Sequence, residues 1–416
     1  MHVAVIGTGI SGLASAWLLR RRHQVTVYEA APSIGGHTNT IPVSRHGRTW
    51  YVDTGFIVFN ELNYPLFNRL LAELQVASQP STMSFSLSDR HSGLEYNGSS
   101  LNGLFAQRRN LLRPRFLGML RDILRFNRAA TALATGERVD GADDEGIGDF
   151  CQRLGLGEAF RSWYLRPIAS AIWSTPPGDI DRFPARTMAA FLHHHRMLQL
   201  GGRPAWRTVV GGSCRYVQAL TADFRDDIRV AAPVRRVERL AEGGVAVQTE
   251  NDRSTYDAVV IASHSDQALA MLAAPSTSEH AVLGAIRYAP NQATLHTDES
   301  IMPRRRRAWA AWNAHIGLDE GNACLTYHMN ALQRLGASEQ FFVSLGEVPV
   351  DESRVLRRIQ YQHPQFDAAA VAAQRRVGEV SGVDRIHYAG AYWGWGFHED
   401  GMRSAVRVAK ELGVDW

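Results

Sequence analysis

The chain has 416 residues, 45% of them hydrophobic, with 45 basic and 41 acidic side chains and a formal net charge of +4. That length allows two or three domains with a large core, and so small a charge excess does not by itself call for nucleic acid. The cysteines Cys151, Cys214 and Cys324 are widely spaced with no CxxC pair, which excludes a disulfide framework and a cysteine zinc site and fits a reducing cytoplasm.

His2-Val-Ala-Val-Ile6 predicts a buried parallel strand. Gly7-Thr-Gly9-Ile10-Ser11-Gly12 then opens an apolar helix through Leu18 and Leu19, ending on three arginines that complement its dipole. Gln24-Val-Thr-Val-Tyr28 predicts a second strand, closing on Glu29. This is a βαβ unit with the dinucleotide fingerprint in register. Its glycines allow a tight turn and close approach to a pyrophosphate, the helix start faces the phosphates, and the acid accepts ribose hydroxyls. The apolar start has neither a basic lead nor a small-residue cleavage site, so no signal peptide is expected. No run of about 18 uncharged apolar residues predicts a membrane span.

Further along come the glycine pair of Gly35-Gly36-His37-Thr38 and the segment Val52-Asp53-Thr54-Gly55. From Arg115, the residues Phe116, Leu117, Leu120, Ile123, Leu124 and Phe126 recur at helical spacing, with Arg121, Arg125 and Arg128 on another face. Either an ordinary surface helix or one resting on anionic lipid has this pattern. Gly136 to Gly148 predicts an exposed acidic loop, and Trp173, within Ile172 to Pro177, either packs or walls a pocket. His193-His194-His195 cannot converge on one ion, because helical neighbours point about 100° apart; no metal is expected. Val209-Val-Gly211-Gly212 precedes an expected helix over Tyr216 to Phe224, with Cys214 as a small buried residue. Strands are expected at Val230 to Val237, Val245 to Thr249, Tyr256 to Ser263, and ending at His387-Tyr-Ala-Gly390. Arg304 to Arg307 predicts a solvated loop or a phosphate or headgroup contact. Last comes Gly390-Ala391-Tyr392-Trp393-Gly-Trp395-Gly-Phe397-His398-Glu399-Asp400-Gly401-Met402, before a closing helix that holds the only lysine, Lys410.

Taken in this order, these motifs resemble the flavin-containing amine oxidase superfamily, which includes monoamine and polyamine oxidases, protoporphyrinogen oxidase and phytoene-desaturase-type enzymes. The C-terminal run is similar to that of a bacterial subgroup of FAD-binding oxidoreductases. The resemblance spans nearly the whole chain and implies an α/β plus α+β architecture. A Rossmann-like FAD-binding domain would be built from discontinuous segments 1–78, 205–275 and 380–416, and a mixed sheet-and-helix substrate domain from 79–204 and 276–379. It further implies that Gly7, Gly9, Ile10, Ser11, Gly12, Glu29, Gly35, Gly36, His37, Thr38 and Gly55 hold the diphosphate and adenosine ribose. Val234 would meet adenine through its backbone. Gly390 and Ala391 would lie near the ribityl chain, and Gly401 and Met402 at the pyrimidine edge, where helix amides stabilise charge on the reduced ring. No cysteine stands near this run, so the FAD would be non-covalent.

One departure matters: amine oxidases of the superfamily typically place a lysine near the flavin, and Lys410 lies too late in the chain. The expected reaction is therefore hydride abstraction from an apolar, lipid-like substrate. An oxygen-using amine oxidase, a redox-neutral double-bond isomerase and a non-enzymatic flavin-stabilised binding protein stay open as alternatives. Trp393 and Trp395 would wall either an amine or an alkyl chain. His398 is the candidate acid or base, or a residue that only holds the turn, and Asp400 a candidate N-cap. The expected location is cytoplasmic, with peripheral contact at the inner membrane face through the basic helix as the sharper alternative, and no nucleic-acid partner. Substrate, electron acceptor and oligomeric state stay open.

Overall fold

Val3 and Val5 point to one face of the first strand, and Ala4 and Ile6 to the other. Both faces are covered, as the unbroken apolar run requires. His2–Ile6 is the centre of a five-stranded parallel sheet whose order is Ile228–Arg229, Gln24–Tyr28, His2–Ile6, Ala258–Ile261 and Ile386–Tyr388. The computed structural model describes residues 1–45, 47–136, 145–173, 177–199, 201–318 and 324–416; the expected acidic loop and the stretch after Trp173 fall largely outside the described residues.

Helix Ile10–Leu19 is buried almost all round, because it lies between this sheet and the closing helix His398–Glu411. A helix enclosed in this way has no polar face to keep. The opposite face of the sheet is covered by a three-stranded antiparallel sheet, Arg236–Arg239, Val245–Gln248 and Arg253–Tyr256.

A second, seven-stranded sheet runs in the order Val355–Pro364, Tyr288–His296, Phe342–Leu345, Cys324–His328, Trp312–Ile316, Phe85–Asp89 and Leu94–Asn97. Its pairs are antiparallel except that between Trp312–Ile316 and Phe85–Asp89. Helix Pro114–Ala134 packs against helix Ala185–His194, and both share the large core cluster with this sheet.

Three sequence expectations shift. The segment after Val230 is not strand until Arg236: the amides of Ala231 and Ala232 donate to Ala31 and Glu29 oxygens, and Pro233 has none to offer a ladder. The apolar run from Tyr256 is two strands, broken where Asp257 bonds the His2 amide with its carboxylate and the His2 carbonyl with its own N–H. The helix after Gly212 covers Cys214–Thr221, because Thr40 Oγ1 accepts from the Cys214 amide and Asp53 from that of Ser213.

Candidate active site

The fingerprint turn enters helix Ile10–Leu19 at Gly9, which has no side chain to cap the first amides. Uncapped amides at a helix start receive anions. A Cβ on Gly12 would lie 2.0 Å from the Gly7 oxygen, and one on Gly7 2.8 Å from the Ala262 oxygen. A Cβ on Gly9 would meet no protein atom within 4 Å. Gly7 and Gly12 are thus needed for packing of the turn, while Gly9 leaves room for a ligand to come close. Ile10 and Ser11 are buried in the first turn. Gly35 donates to the Thr8 carbonyl, Gly36 abuts Gly9, and a Cβ on Gly55 would lie 2.2 Å from the His37 oxygen.

Glu29 accepts from the Thr8 amide at 3.0 Å, from the Thr8 hydroxyl and from the Ala31 amide at 2.8 Å. The Ala232 amide donates to the Glu29 carbonyl, which draws Val234 to the same strand end. Thr8, which orients the acid, was not singled out by the motif.

At the other end, the Gly390 amide donates to Ser404 Oγ at 2.9 Å, and that hydroxyl donates to the Gly401 carbonyl at 2.7 Å. Ala391 begins a short turn through Trp393. A Cβ on Gly401 would lie 2.7 Å from Ile10 Cγ2 and 2.9 Å from Ser11 Oγ, so the two helix starts touch. Met402 is fully buried in the cluster that holds Ile10, Leu13 and Phe56. Two positive dipole ends therefore stand side by side.

Asp400 is not the N-cap but the third residue of its helix. Its Oδ2 accepts from the Trp395 amide at 3.1 Å and the Phe397 amide at 3.0 Å, fastening the aromatic turn. Glu399 points the other way and accepts from the amides of Leu66 and Phe67, both at 3.1 Å, capping helix Pro65–Glu73. Burial raises both carboxyls, that of Asp400 to about 6. His398 Nε2 lies 3.1 Å from both Thr38 Oγ1 and the Tyr216 hydroxyl, and its ring stacks on Phe56 at 3.5 Å. Burial pushes its pKa well below the usual histidine value, so the ring is neutral and its Nε2 already engaged.

The structure does not bring the two tryptophans together. Trp393 packs on Tyr392 at 4.9 Å, toward the parallel sheet. Trp395 meets His194 at 5.1 Å and Phe191 at 5.6 Å, and Phe397 stacks on Phe191 at 5.3 Å. One aromatic wall thus forms between the C-terminal turn and helix Ala185–His194. His195 belongs to that wall, its Nδ1 held by the Phe191 carbonyl at 2.9 Å.

A second cluster escaped sequence reasoning. The His37 ring stacks on Tyr361 at 4.8 Å and lies 5.3 Å from His363, while His264 stacks on Tyr288 at 4.2 Å. Burial, then neighbouring histidines, lowers His37 to about 3 and His363 to about 4. His37 and His264 each adjoin a motif, but Tyr361 and His363 lie on a strand with no signature. His37 Nε2 is buried without a partner. This orphan group, the uncapped helix start and the open side of Gly9 fit a flavin nucleotide. Among the described residues, no group of three His, Cys, Asp or Glu is placed to hold a metal ion.

Asp53 is fully buried between the two sheets' connections and accepts from Thr40, Ser213 and Gln333, while burial raises it to about 6. The titration of these interior groups makes a testable balance. His37 and His315 are lowered to about 3, and His195, His296 and His363 to about 4. A lowered histidine binds fewer protons folded than unfolded, so its stabilisation is complete above about 6.5 and is lost as pH falls toward its folded value. Asp53 and Asp400 act oppositely, their contribution being lost as pH rises through about 6. Five histidines outweigh two aspartates, so the unfolding temperature should fall between pH 7 and pH 5 (a span set by these shifts). His315→Gln, which keeps a partner for Thr326 Oγ1, should flatten that fall; a melting point that rises on acidification contradicts this balance.

Residues 10–333 match the flavin containing amine oxidoreductase family. A carotenoid phi-ring synthase of Streptomyces griseus is 26% identical over 317 residues, 69% of this chain and 58% of that protein, so the chain spans less than two thirds of that relative's length. An L-amino-acid oxidase of Bungarus fasciatus is 42% identical over 55 residues, 13% of this chain and 10% of its own. Among solved structures, the cyclohexylamine oxidase from Brevibacterium oxydans superposes with a TM-score of 0.71 at 17% identity, covering 99% of each chain. With a family match over most of its length, the chain belongs to the flavin containing amine oxidoreductase family.

Proposed function

We propose that the protein binds FAD non-covalently and dehydrogenates an apolar, lipid-like substrate. The observation that carries this reading is the wall of Phe191, Trp395 and Phe397 joined to a chain whose single lysine, Lys410, is exposed near the far end of the closing helix. The similarity to a carotenoid synthase supports an apolar substrate. When bound, FAD supplies the two-electron acceptor for a hydride from a substrate carbon held about 3–3.5 Å away. The aromatic wall orients that carbon and excludes water. Asp400 and Glu399 hold the wall in place, and His398 is a positioning residue that fixes Thr38 and Tyr216. His37, neutral and with Nε2 unpartnered, is available to hydrogen-bond the bound group, but burial that lowers it to about 3 makes it too weak a base to keep the substrate's proton, which passes on to solvent.

Anaerobic mixing of the flavin-loaded protein with fractionated cell lipids, then with polyamines and aromatic amines, tests this by loss of the oxidised-flavin absorbance. Lipids should bleach it and amines should not. Trp395→Ala should slow bleaching by about tenfold or more at unchanged flavin content. Bleaching by amines alone would refute the apolar-substrate reading, and a protein that never takes up FAD would remove it altogether.

A further inference from the structure

Helix Pro114–Ala134 buries Phe116, Met119, Phe126, Ala130 and Leu133. Its outward stripe does not read as the sequence suggests. Leu117 and Leu124 leave the apolar set and stand exposed, interleaved with Arg121 and Arg128 at a spacing of three and four residues. At the N-terminal end of that stripe the chain exposes Leu111 and Leu112, the latter 87% exposed. Leu101, 77% exposed, opens the neighbouring helix Leu101–Leu104, which Arg108 ties down through Asn102 and the Phe105 carbonyl. Single exposed leucines are ordinary, but a cluster of this kind marks a contact surface.

The charge around these leucines says what they contact. Residues 99–136 hold seven arginines and one acid, Asp122, which is buried. Only Arg121 and Arg125 pair with it. The fold then adds a second basic segment from far along the chain. The turn at Arg306–Ala308 packs on helix Leu101–Leu104, because the Arg304 and Arg305 amides bond the buried Glu95 carboxylate. Arg304 to Arg307 are all exposed, and only Arg306 has an acidic partner among the described residues. Two arginine groups, remote in sequence, therefore meet at helix Leu101–Leu104 with its exposed Leu101: Arg108 through Asn102, and the Arg304 to Arg307 segment through its turn.

We infer that this surface seats the protein on an anionic lipid bilayer, with Leu101, Leu111, Leu112 and Leu117 entering the acyl boundary and the arginines meeting headgroup phosphates. Leucine burial and arginine attraction act together, and guanidinium groups bond phosphate oxygens in pairs. The bound helix Pro114–Ala134 also packs on helix Ala185–His194, which carries the aromatic wall. Membrane seating would thus put the substrate side one helix from the lipid. The inference stands on the surface alone and survives any outcome for the substrate.

Flotation of the flavin-loaded protein with vesicles tests it. Phosphatidylcholine vesicles containing phosphatidylglycerol should carry the protein, and phosphatidylcholine alone should not. High salt should weaken binding, as should the set Arg108→Gln, Arg109→Gln, Arg304→Gln and Arg305→Gln. The set Leu101→Ser, Leu112→Ser and Leu117→Ser should lower the partition by about tenfold or more, with flavin content unchanged. Binding equal on both vesicle types, or indifferent to the leucine set, overturns the inference. So does a leucine-dependent dimer that leaves vesicles alone, or RNA binding that the arginine set abolishes while vesicle binding is absent.

Discussion

Gly9→Val gives a protein that folds as its parent does and is purified without flavin. A Cβ there meets no protein atom beyond its chain neighbours within 4 Å, so the turn has room for the first carbon of a side chain. The space it fills is the approach to the uncapped amides of helix Ile10–Leu19, and a branched side chain there keeps a phosphate from reaching them. We expect affinity for FAD to fall at least about a hundredfold, equivalent to about 2.8 kcal/mol. The melting temperature of the flavin-free variant should match that of flavin-free parent. Gly12→Val is the contrast: its Cβ falls 2.0 Å from the Gly7 backbone oxygen, which no rotamer relieves. Overpacking of that kind costs about 1–3 kcal/mol and more where backbone must move, so this variant loses stability as well as flavin. Full flavin retention by Gly9→Val would place the cofactor elsewhere.

Asp400→Ala has the second large effect, and it acts on the wall rather than the nucleotide. The change strands the amides of Trp395 and Phe397 in a half-buried turn and removes the partner of Arg403 Nη1 at 3.4 Å. A fully buried group left without a partner costs about 1–3 kcal/mol, so two half-buried amides together should lose about 1–3 kcal/mol, read from the midpoint of urea unfolding. Asp400→Asn keeps an oxygen that accepts both amides and should recover most of it. Equal loss in the two variants would mean that charge, not the pair of hydrogen bonds, holds the turn.

The parts of the fold built from local pattern were legible in the chain. Strand His2–Ile6, helix Ile10–Leu19 and Glu29 declare themselves because a fingerprint has fixed spacing and each residue has a reason to sit where it does. The aromatic turn at Gly390 to Met402 was legible as a place, but its side chains were not legible as directions. Trp393 and Trp395 stand two residues apart in a turn, and only the backbone path sends one toward the sheet and the other toward helix Ala185–His194. The cluster of His37, His264, Tyr361 and His363 was illegible for a different reason. Its members come from three distant segments, and no spacing rule joins residues that meet only when two sheets are set side by side. Helix Pro114–Ala134 was found by its period, yet Leu117 and Leu124 were assigned to the wrong face, since a wide apolar arc does not say which edge the neighbours leave bare.

The parallel sheet takes its strands from residues 2–28, 228–261 and 386–388, and Gly401 is pressed onto Ile10. In a cell this sets a clock on maturation. At about 5–20 residues per second, the first strands wait until the chain has been made past residue 386 before their last partner leaves the ribosome. Until then the nucleotide cradle lacks a wall. Cofactor capture therefore waits for the segment from residue 386 to Gly401, and a nascent chain stalled before residue 386 lacks the edge strand and the closing helix that complete the sheet's cover.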